Sequence, residues 1–394
     1  MKVLVFSHKE CWRSPESPSG WATDGGFVFH MQAIASLADE LEIVCFESKR
    51  KSEGEVFFTD PKLSFSTISL RDVSGVRRKL WVLYLALSRL PFFIRKIRQA
   101  DLVHTPIPSD LSSIAMLLSK WMKKPLFIRH CGNWLDPTTR AEFFWKNFMV
   151  KNAGKNVACL ATGGGTKPPS DKNSKINWIF SSSLLGSEIE ALSADRSPVI
   201  DSTKIKLITV SRQTINKGAG RTIEAIKVLK DKGYNIDFTV VGRGDHLEAL
   251  KAKAKDLKLE ENVRFTGQLG NTEVMSALKE SDIFVFPSTA SEGFPKAVLE
   301  ALASGLPVVT SRVSVLPELI ENTKSGFALE DLSPEALVFA LEKLIKDKVF
   351  YKECSLNAAE CARQYSLEKW ADFIADHVNN EFDWQLQRKD RIVK

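Results

Sequence analysis

The sequence predicts an α/β fold made of two doubly wound domains. Three observations carry that prediction. Short, continuous apolar runs recur along the 394 residues, each followed by a segment of helical spacing. The rhythm breaks in one serine-rich stretch and restarts after it. The length itself suits about two domains, at roughly 100–200 residues each.

In the first half the runs are KVLVF (2–6), EIVCF (42–46), DLVHT (101–105), PLFIRH (125–130) and VACLAT (157–162). In the second half they are KLITVS (206–211), DFTVVG (237–242), VRFTG (263–267), IFVFPS (283–288) and LPVVTS (306–311). Apolar strands alternating with helices predict parallel sheets covered on both faces. Two such series predict two doubly wound units. The seam is SSSLLGSEIEALSADRSPVIDST (181–203). The expected organisation is therefore a first domain over 1–181, a linker over 182–203 and a second domain over 204–365. The tail, 366–394, holds Leu367, Trp370, Phe373, Ile374, Val378 and Phe382 at helical spacing. It is expected to cross back to the first domain.

Composition is that of an ordinary globular chain, with 44% hydrophobic and 26% charged residues. The six cysteines form no Cys-x-x-Cys pair and no zinc-like spacing with histidine, which favours reduced thiols in a cytoplasmic protein. The opening MKVLVFSHKE has too short an apolar core for a signal peptide and reads as a buried strand. WVLYLALSRLPFFI (81–94) is interrupted by Arg89 and Pro91. It falls short of the ~20 residues of a membrane span.

Net charge is +7, unevenly spread. Residues 1–180 hold 26 Lys/Arg against 16 Asp/Glu, so +10, and the remainder is −3. Residues 71–98 concentrate eight basic side chains against Asp72 alone. Such a stretch could meet an anionic surface (membrane, polyphosphate or nucleic acid) or could be a solvated helix face.

Ligands of open α/β sheets bind beyond the carboxyl ends of the strands, so residues just after each strand are the candidates. In ITVSRQTINKG (208–218), Arg212 and Lys217 precede Gly218 and a helix start. Two cations at a helix N-terminus make an anion site. In VVGRGD (240–245), Gly242 and Gly244 allow close approach of the backbone, a weak signal alone. Gly25-Gly26 lies between the first strand and a helix near Phe27 and could cradle phosphate or be a simple turn. His130 ends PLFIRH, where a structural and a catalytic role compete. In SEGFPKAVLEALASGLPVV (291–309), Pro295 suits a first helical turn and Lys296 to Ser304 a helix. Gly305 and Pro307 suit its end. Glu292 would precede that helix, and the Gly293 and Phe294 amides would stand at its mouth. Glu300 would lie on an otherwise apolar helix, where an unpaired carboxylate is costly.

With these residues in hand, the chain resembles a retaining nucleotide-sugar glycosyltransferase of the family 4 type. That family has the GT-B fold, two doubly wound Rossmann-like domains facing across a cleft. The likeness is strongest over 204–330. SRQTINKG is similar to the family's donor loop, VVGRGD to its glycine turn and VRFTGQLGNTEV to its nucleobase-side strand and loop. SDIFVFPSTASEGFPKAVLEALASGLPVVTS is similar to its most diagnostic stretch, two glutamates separated by seven residues. The resemblance implies that Arg212 and Lys217 hold the donor diphosphate and that Glu300 accepts from the ribose hydroxyls. Glu292 and the Gly293–Phe294 backbone would hold the sugar near its reacting carbon. Gly242 and Lys296 would complete the donor-binding set. Gly25-Gly26 would match the family's glycine loop and His130 its histidine near the C6 side of the sugar. His130, Glu292, Arg212 and Lys217 are the expected catalytic group. Pro295 departs from the family's frequent glycine, and CWRSPESPSGWATD (11–24) is a distinctive insert, expected to shape an acceptor pocket.

No Asp-x-Asp occurs, so no metal and no other cofactor is expected. The partners implied are a nucleotide-sugar donor, a sugar or lipid-linked acceptor, and anionic membrane along 71–98, with no nucleic acid. Competing readings are an epimerase or phosphorylase on the same fold, a nicotinamide oxidoreductase, and a non-catalytic anionic-surface binder. The oxidoreductase would want a Gly-x-Gly-x-x-Gly after the first strand, which is absent.

Overall fold

The computed structural model describes residues 1–49, 55–69, 75–132, 134–137, 139–165, 167–194, 196–290 and 293–392. The chain divides into two compact units. Unit 1 comprises Met1–Gly163, Lys167–Ser183 and Leu367–Lys394, and unit 2 comprises Gly164–Thr166 and Leu184–Ser366.

Unit 1 contains β1 (Lys2–Arg13), β2 (Trp21–Asp24), α1 (Phe27–Ala35), β3 (Glu40–Glu47), β4 (Glu55–Phe57), β5 (Leu63–Ser69), α2 (Gly75–Ser88), α3 (Leu90–Gln99), β6 (Leu102–Ile107), α4 (Asp110–Trp121), β7 (Leu126–His130), α5 (Arg140–Asn152), β8 (Val157–Thr162) and β9 (Ile176–Ile179). Its parallel strands lie in the order β5-β3-β1-β6-β7-β8-β9. The central strands are apolar on both sides because helices cover both faces. Leu85, Phe93, Ile97, Met116 and Met149 from α2 to α5 share one core with Leu4, Val103, Ile128 and Val157 of the sheet.

The insert over 11–24 is not an irregular loop. Strand β1 runs on to Arg13 instead of stopping near Ser7, with a register irregularity between Phe6 and Glu10. It turns back through β2, antiparallel, with Trp12 opposite Ala22, and β2 then pairs β4. Trp12 and Trp21 are buried, and the Trp12 Nε1 donates to Glu55 Oε1 at 2.6 Å. Trp21 stacks on Phe65 at 5.2 Å. The prolines and serines between the strands hid two short strands that aromatic burial holds in place.

Unit 2 contains α6 (Gly186–Ala194), β10 (Ile205–Val210), α7 (Ala219–Asp231), β11 (Ile236–Val241), α8 (Leu247–Asp256), β12 (Val263–Gly267), α9 (Asn271–Lys279), β13 (Ile283–Phe286), α10 (Lys296–Ala303), β14 (Val308–Ser311), α11 (Leu316–Ile320), β15 (Gly326–Leu329), α12 (Pro334–Lys346) and α13 (Lys348–Ala362). All its strands are parallel, in the order β12-β11-β10-β13-β14-β15. In that order the winding direction reverses between β10 and β13, which defines a switch point.

The expected linker is folded. Helix α6 buries Ile189 in unit 2, and Arg363 pairs with Glu190 at 2.8 Å. Arg196 donates to Ser281 O at 2.6 Å and to Tyr351 Oη at 2.7 Å. Serine-rich composition read as a linker, whereas buried Ile189 and the Arg196 guanidinium tie the stretch to unit 2. From Ser366 the chain returns to unit 1 as α14 (Leu367–Phe382). There Trp370 stacks on His30 of α1 with ring centres 4.5 Å apart.

Candidate active site

The loop after β10 carries Arg212 and Lys217. Its first part is welded to the loop after β11. The Gln213 amide donates to Arg243 O at 2.9 Å, and Gln213 O accepts from the His246 amide at 3.0 Å. The buried Gln213 side chain donates to Ser211 O (2.9 Å) and Val241 O (2.8 Å). A Cβ at Gly242, whose φ is +121°, would stand 1.9 Å from Ser211 O. Only glycine combines that dihedral with that approach.

The second part of the loop meets β13. A short 3₁₀ turn, Ile215–Lys217, ends at Gly218 with φ +86°. A Cβ there would lie 2.2 Å from Pro287 O. The Thr289 amide donates to Asn216 O at 2.8 Å. The Lys217 ammonium sits 5.7 Å from the Phe286 ring centre, a cation–π distance. Loops from β10 and β13 therefore press together at the switch point, and α7 begins directly behind Gly218. The Arg212 guanidinium is exposed and, among the described residues, has no hydrogen-bond or ion-pair partner. Arg221, in the first turn of α7, donates to Pro287 O at 3.3 Å. It is a third cation at this rim that the motif reading passed over, as it passed over Gln213.

The 291–309 stretch lies at the same rim. Glu292 falls outside the described residues. Pro295 is the N-cap of α10, with φ −79° and ψ 95°, and not a first-turn residue. The helix opens at Lys296, so the amides of its first turn, not those of Gly293 and Phe294, form the N-terminal donor set. The Phe294 ring is buried against Tyr365 at 5.6 Å, leaving only its backbone for a ligand. Burial raises the Tyr365 hydroxyl to about 12, keeping it neutral. Glu300 is half-buried, while Val298, Leu299, Ala301 and Leu302 face the core. Gly305 takes φ +67° just past the helix, and the chain returns as β14.

In unit 1, Gly25 has φ +67° and open space where a Cβ would stand. Gly26 caps α1 with no side-chain hydrogen bond. His130 ends β7, 2% exposed, edge-to-face with Trp134 at 5.3 Å. Its Nδ1 is buried with no hydrogen-bond partner among the described residues. Burial pushes its pKa down to about 4, so the ring is neutral near pH 7. Arg129 beside it reaches His30 Nδ1 of α1 at 3.4 Å, which sets the start of α1 near the end of β7. The structure thus gathers Arg212, Lys217, Gly242, Gly293, Phe294, Lys296 and Glu300 at one rim of unit 2. It gathers Gly25, Gly26 and His130 at the corresponding rim of unit 1.

A separate concavity of ~670 Å³ in unit 2 is lined by Lys206, Asp237, Val263 and Glu280. It lies at the amino ends of β10 and β11, away from the crowded rim.

Residues 193–361 match the family model described as glycosyl transferases group 1. The amylovoran biosynthesis glycosyltransferase AmsK of Erwinia amylovora is 39% identical over 145 residues, 36% of each chain. The match thus spans about a third of that relative's length. A glycosyltransferase from Rickettsia africae superposes over 98% of this chain and 99% of its own, with TM-score 0.69 and 18% identity. Anabaena Alr3699/HepE, crystallised with UDP and glucose, superposes over 96% of this chain and 100% of its own, with TM-score 0.65 and 17% identity. The chain has the GT-B fold, and over residues 193–361 it is similar to the group 1 glycosyl transferases.

Proposed function

We propose that the protein is a retaining hexosyltransferase that moves a sugar from a nucleotide-diphosphate sugar to a glycan or lipid-linked acceptor. The setting proposed is surface polysaccharide or glycoconjugate synthesis in the cytoplasm, with peripheral contact to anionic membrane through residues 71–98. One observation carries the reading. Arg212, exposed and without a hydrogen-bond or ion-pair partner among the described residues, and Lys217 on the same loop stand at the switch point of unit 2, where Gly218 and Gly242 allow backbone contact between loops.

As the donor bond breaks, negative charge grows on the departing diphosphate. Cations and helix amides already in place stabilise that charge without reorganising. Arg212 offers a fork for two oxygens and Lys217 a point charge. No metal is needed in this scheme. Glu300 anchors the ribose hydroxyls, while Glu292 and the backbone leading into α10 position the sugar. In unit 1, the Nδ1 of the neutral His130, without a partner among the described residues, suits a hydrogen bond to a sugar hydroxyl. Support from relatives is of the same kind: AmsK is named for amylovoran biosynthesis, and HepE was crystallised with UDP and glucose.

Calorimetry with a panel of nucleoside diphosphates and their sugars tests the donor site. Glu300→Ala and Lys217→Ala are expected to weaken binding ~10-fold or more while leaving the fold intact. Unchanged affinity in both would sink the assignment. Incubation with donor alone separates an epimerase, which converts it, from a transferase, which requires an acceptor.

A further inference from the structure

Helix α2 turns its greasiest residues outward. Leu80, Leu83, Tyr84 and Leu87 are 63%, 58%, 60% and 64% exposed. Their spacing of three, one and three residues places them on a single helical face. The opposite face buries Leu85 in the unit 1 core. A surface helix normally does the reverse, and contiguous exposed apolar patches mark interaction sites.

Charge says what the patch meets. Residues 75–99 contain seven Lys/Arg and no Asp or Glu. Two of the seven are spent inside the protein, Arg78 on Asp110 at 2.6 Å and Lys96 on Glu42. Arg77, Lys79, Arg89, Arg95 and Arg98 are exposed and have no acidic partner among the described residues. On the helical wheel Arg77 and Lys79 flank the apolar stripe on its two sides. An apolar stripe between basic rails is the pattern of a helix lying in the plane of an anionic bilayer. A second protein would need an equally apolar and acidic face, whereas a bilayer presents both features everywhere.

The position fits. Asp110 opens α4 immediately beyond the carboxyl end of β6, and Arg78 is bonded to it. The start of α2 therefore stands at the rim of unit 1 where ligands of such sheets bind.

We propose that α2 is an interfacial helix. Leu80, Leu83, Tyr84 and Leu87 insert among the acyl chains of an anionic bilayer, with Arg77, Lys79, Arg89, Arg95 and Arg98 on the headgroups. This deepens the transferase reading by placing the acceptor rim at the lipid surface. It rests on that reading for its purpose, though not for the binding itself.

The test is flotation of the full chain with phosphatidylcholine vesicles and with vesicles of equal phosphatidylcholine and phosphatidylglycerol. Binding is expected only to the anionic vesicles, weakened by salt. The triple variant Leu80→Ser/Leu83→Ser/Leu87→Ser is expected to partition at least ~10-fold more weakly. Lys79→Ser and Arg98→Ser are each expected to lower partition ~5-fold. All these side chains are exposed, so thermal midpoint and nucleotide binding should be unchanged. The proposal is overturned if the protein does not float, if it floats equally with neutral vesicles, or if the triple variant floats like the parent. It is also overturned if sedimentation shows a dimer that the triple variant dissolves, because the stripe then covers a second copy. Flotation as expected from a chain that binds no nucleotide would leave this surface standing and remove the transferase reading instead.

Discussion

The strand-end rims of the two units are built differently. In unit 2 the rim is backbone against backbone: Gly218 under Pro287, Gly242 under Ser211 and the Gln213 main chain bonded across to the loop after β11. In unit 1 the rim is side chain against side chain: His130 against Trp134, His30 on Trp370, and the Arg129 guanidinium 5.1 Å from the same indole. Its glycine, Gly25, faces open space. A backbone site fixes a ligand common to many reactions, whereas a side-chain site can be reshaped for a particular one. Under the proposed transferase reading, the first suits the diphosphate and the second the acceptor.

Acid should separate the two most strongly. Burial holds His130 near 4 and His104 near 3, both in unit 1 and both below the ordinary 6.5. A depressed histidine binds its proton in the unfolded chain first, so unit 1 loses stability as pH falls from 6.5 towards 4. Each contributes on the order of 3 kcal/mol across that window. Together they rival the ~5–15 kcal/mol that holds a domain. In unit 2, Glu342 is held near 2 by Lys346, Tyr234 and Lys232. Its contribution fades only as pH falls from 4.5 towards 2. All nine tryptophans lie in unit 1, so indole emission reports that unit alone. Emission should shift red near pH 4 while much of the far-ultraviolet dichroism survives. A single coincident transition would erase the distinction.

Lys217→Ala comes next, with transfer reduced about 10²–10³-fold, the usual cost of one preorganised charge stabiliser. Its melting curve should match that of the parent protein. Gly242→Ala should cost on the order of 3 kcal/mol, since a Cβ cannot share space with Ser211 O. Chemical denaturation followed by dichroism should show the loss in unit 2, with the indole transition unmoved. Gly25→Ala is the smallest change, about 1 kcal/mol, from the dihedral alone. If it proved as costly as Gly242→Ala, the two rims would not differ in kind.

The same difference governs what the sequence disclosed. Residues 204–330 could be read closely because a backbone site needs glycines and cations at fixed spacing, as at Arg212, Lys217, Gly218 and Gly242. Gln213 escaped notice because its partners at Val241 and Arg243 come from another strand, and only folding brings them near. Pro295 was misplaced by one helical position, since proline suits both a cap and a first turn. In unit 1 the parallel strands β1, β3, β6, β7 and β8 were plain from their apolar runs. Strands β2, β4 and β9 were not, because each is only three or four residues long and holds polar side chains. The linker was misread because local composition does not reveal that Ile189 and Arg196 find distant partners.

The return of α14 to unit 1 has a bearing on how the protein is made. Trp370 supplies the indole on which His30 and Arg129 lean, and Glu381 accepts from the Val157 amide at 3.2 Å. Those partners leave the ribosome more than two hundred residues apart. Unit 2, made of Gly164–Thr166 and Leu184–Ser366, has all of its chain synthesised before α14. The first domain in sequence is therefore the last to close, and a stop codon shortly before Leu367 would spare unit 2 while leaving unit 1 unfinished.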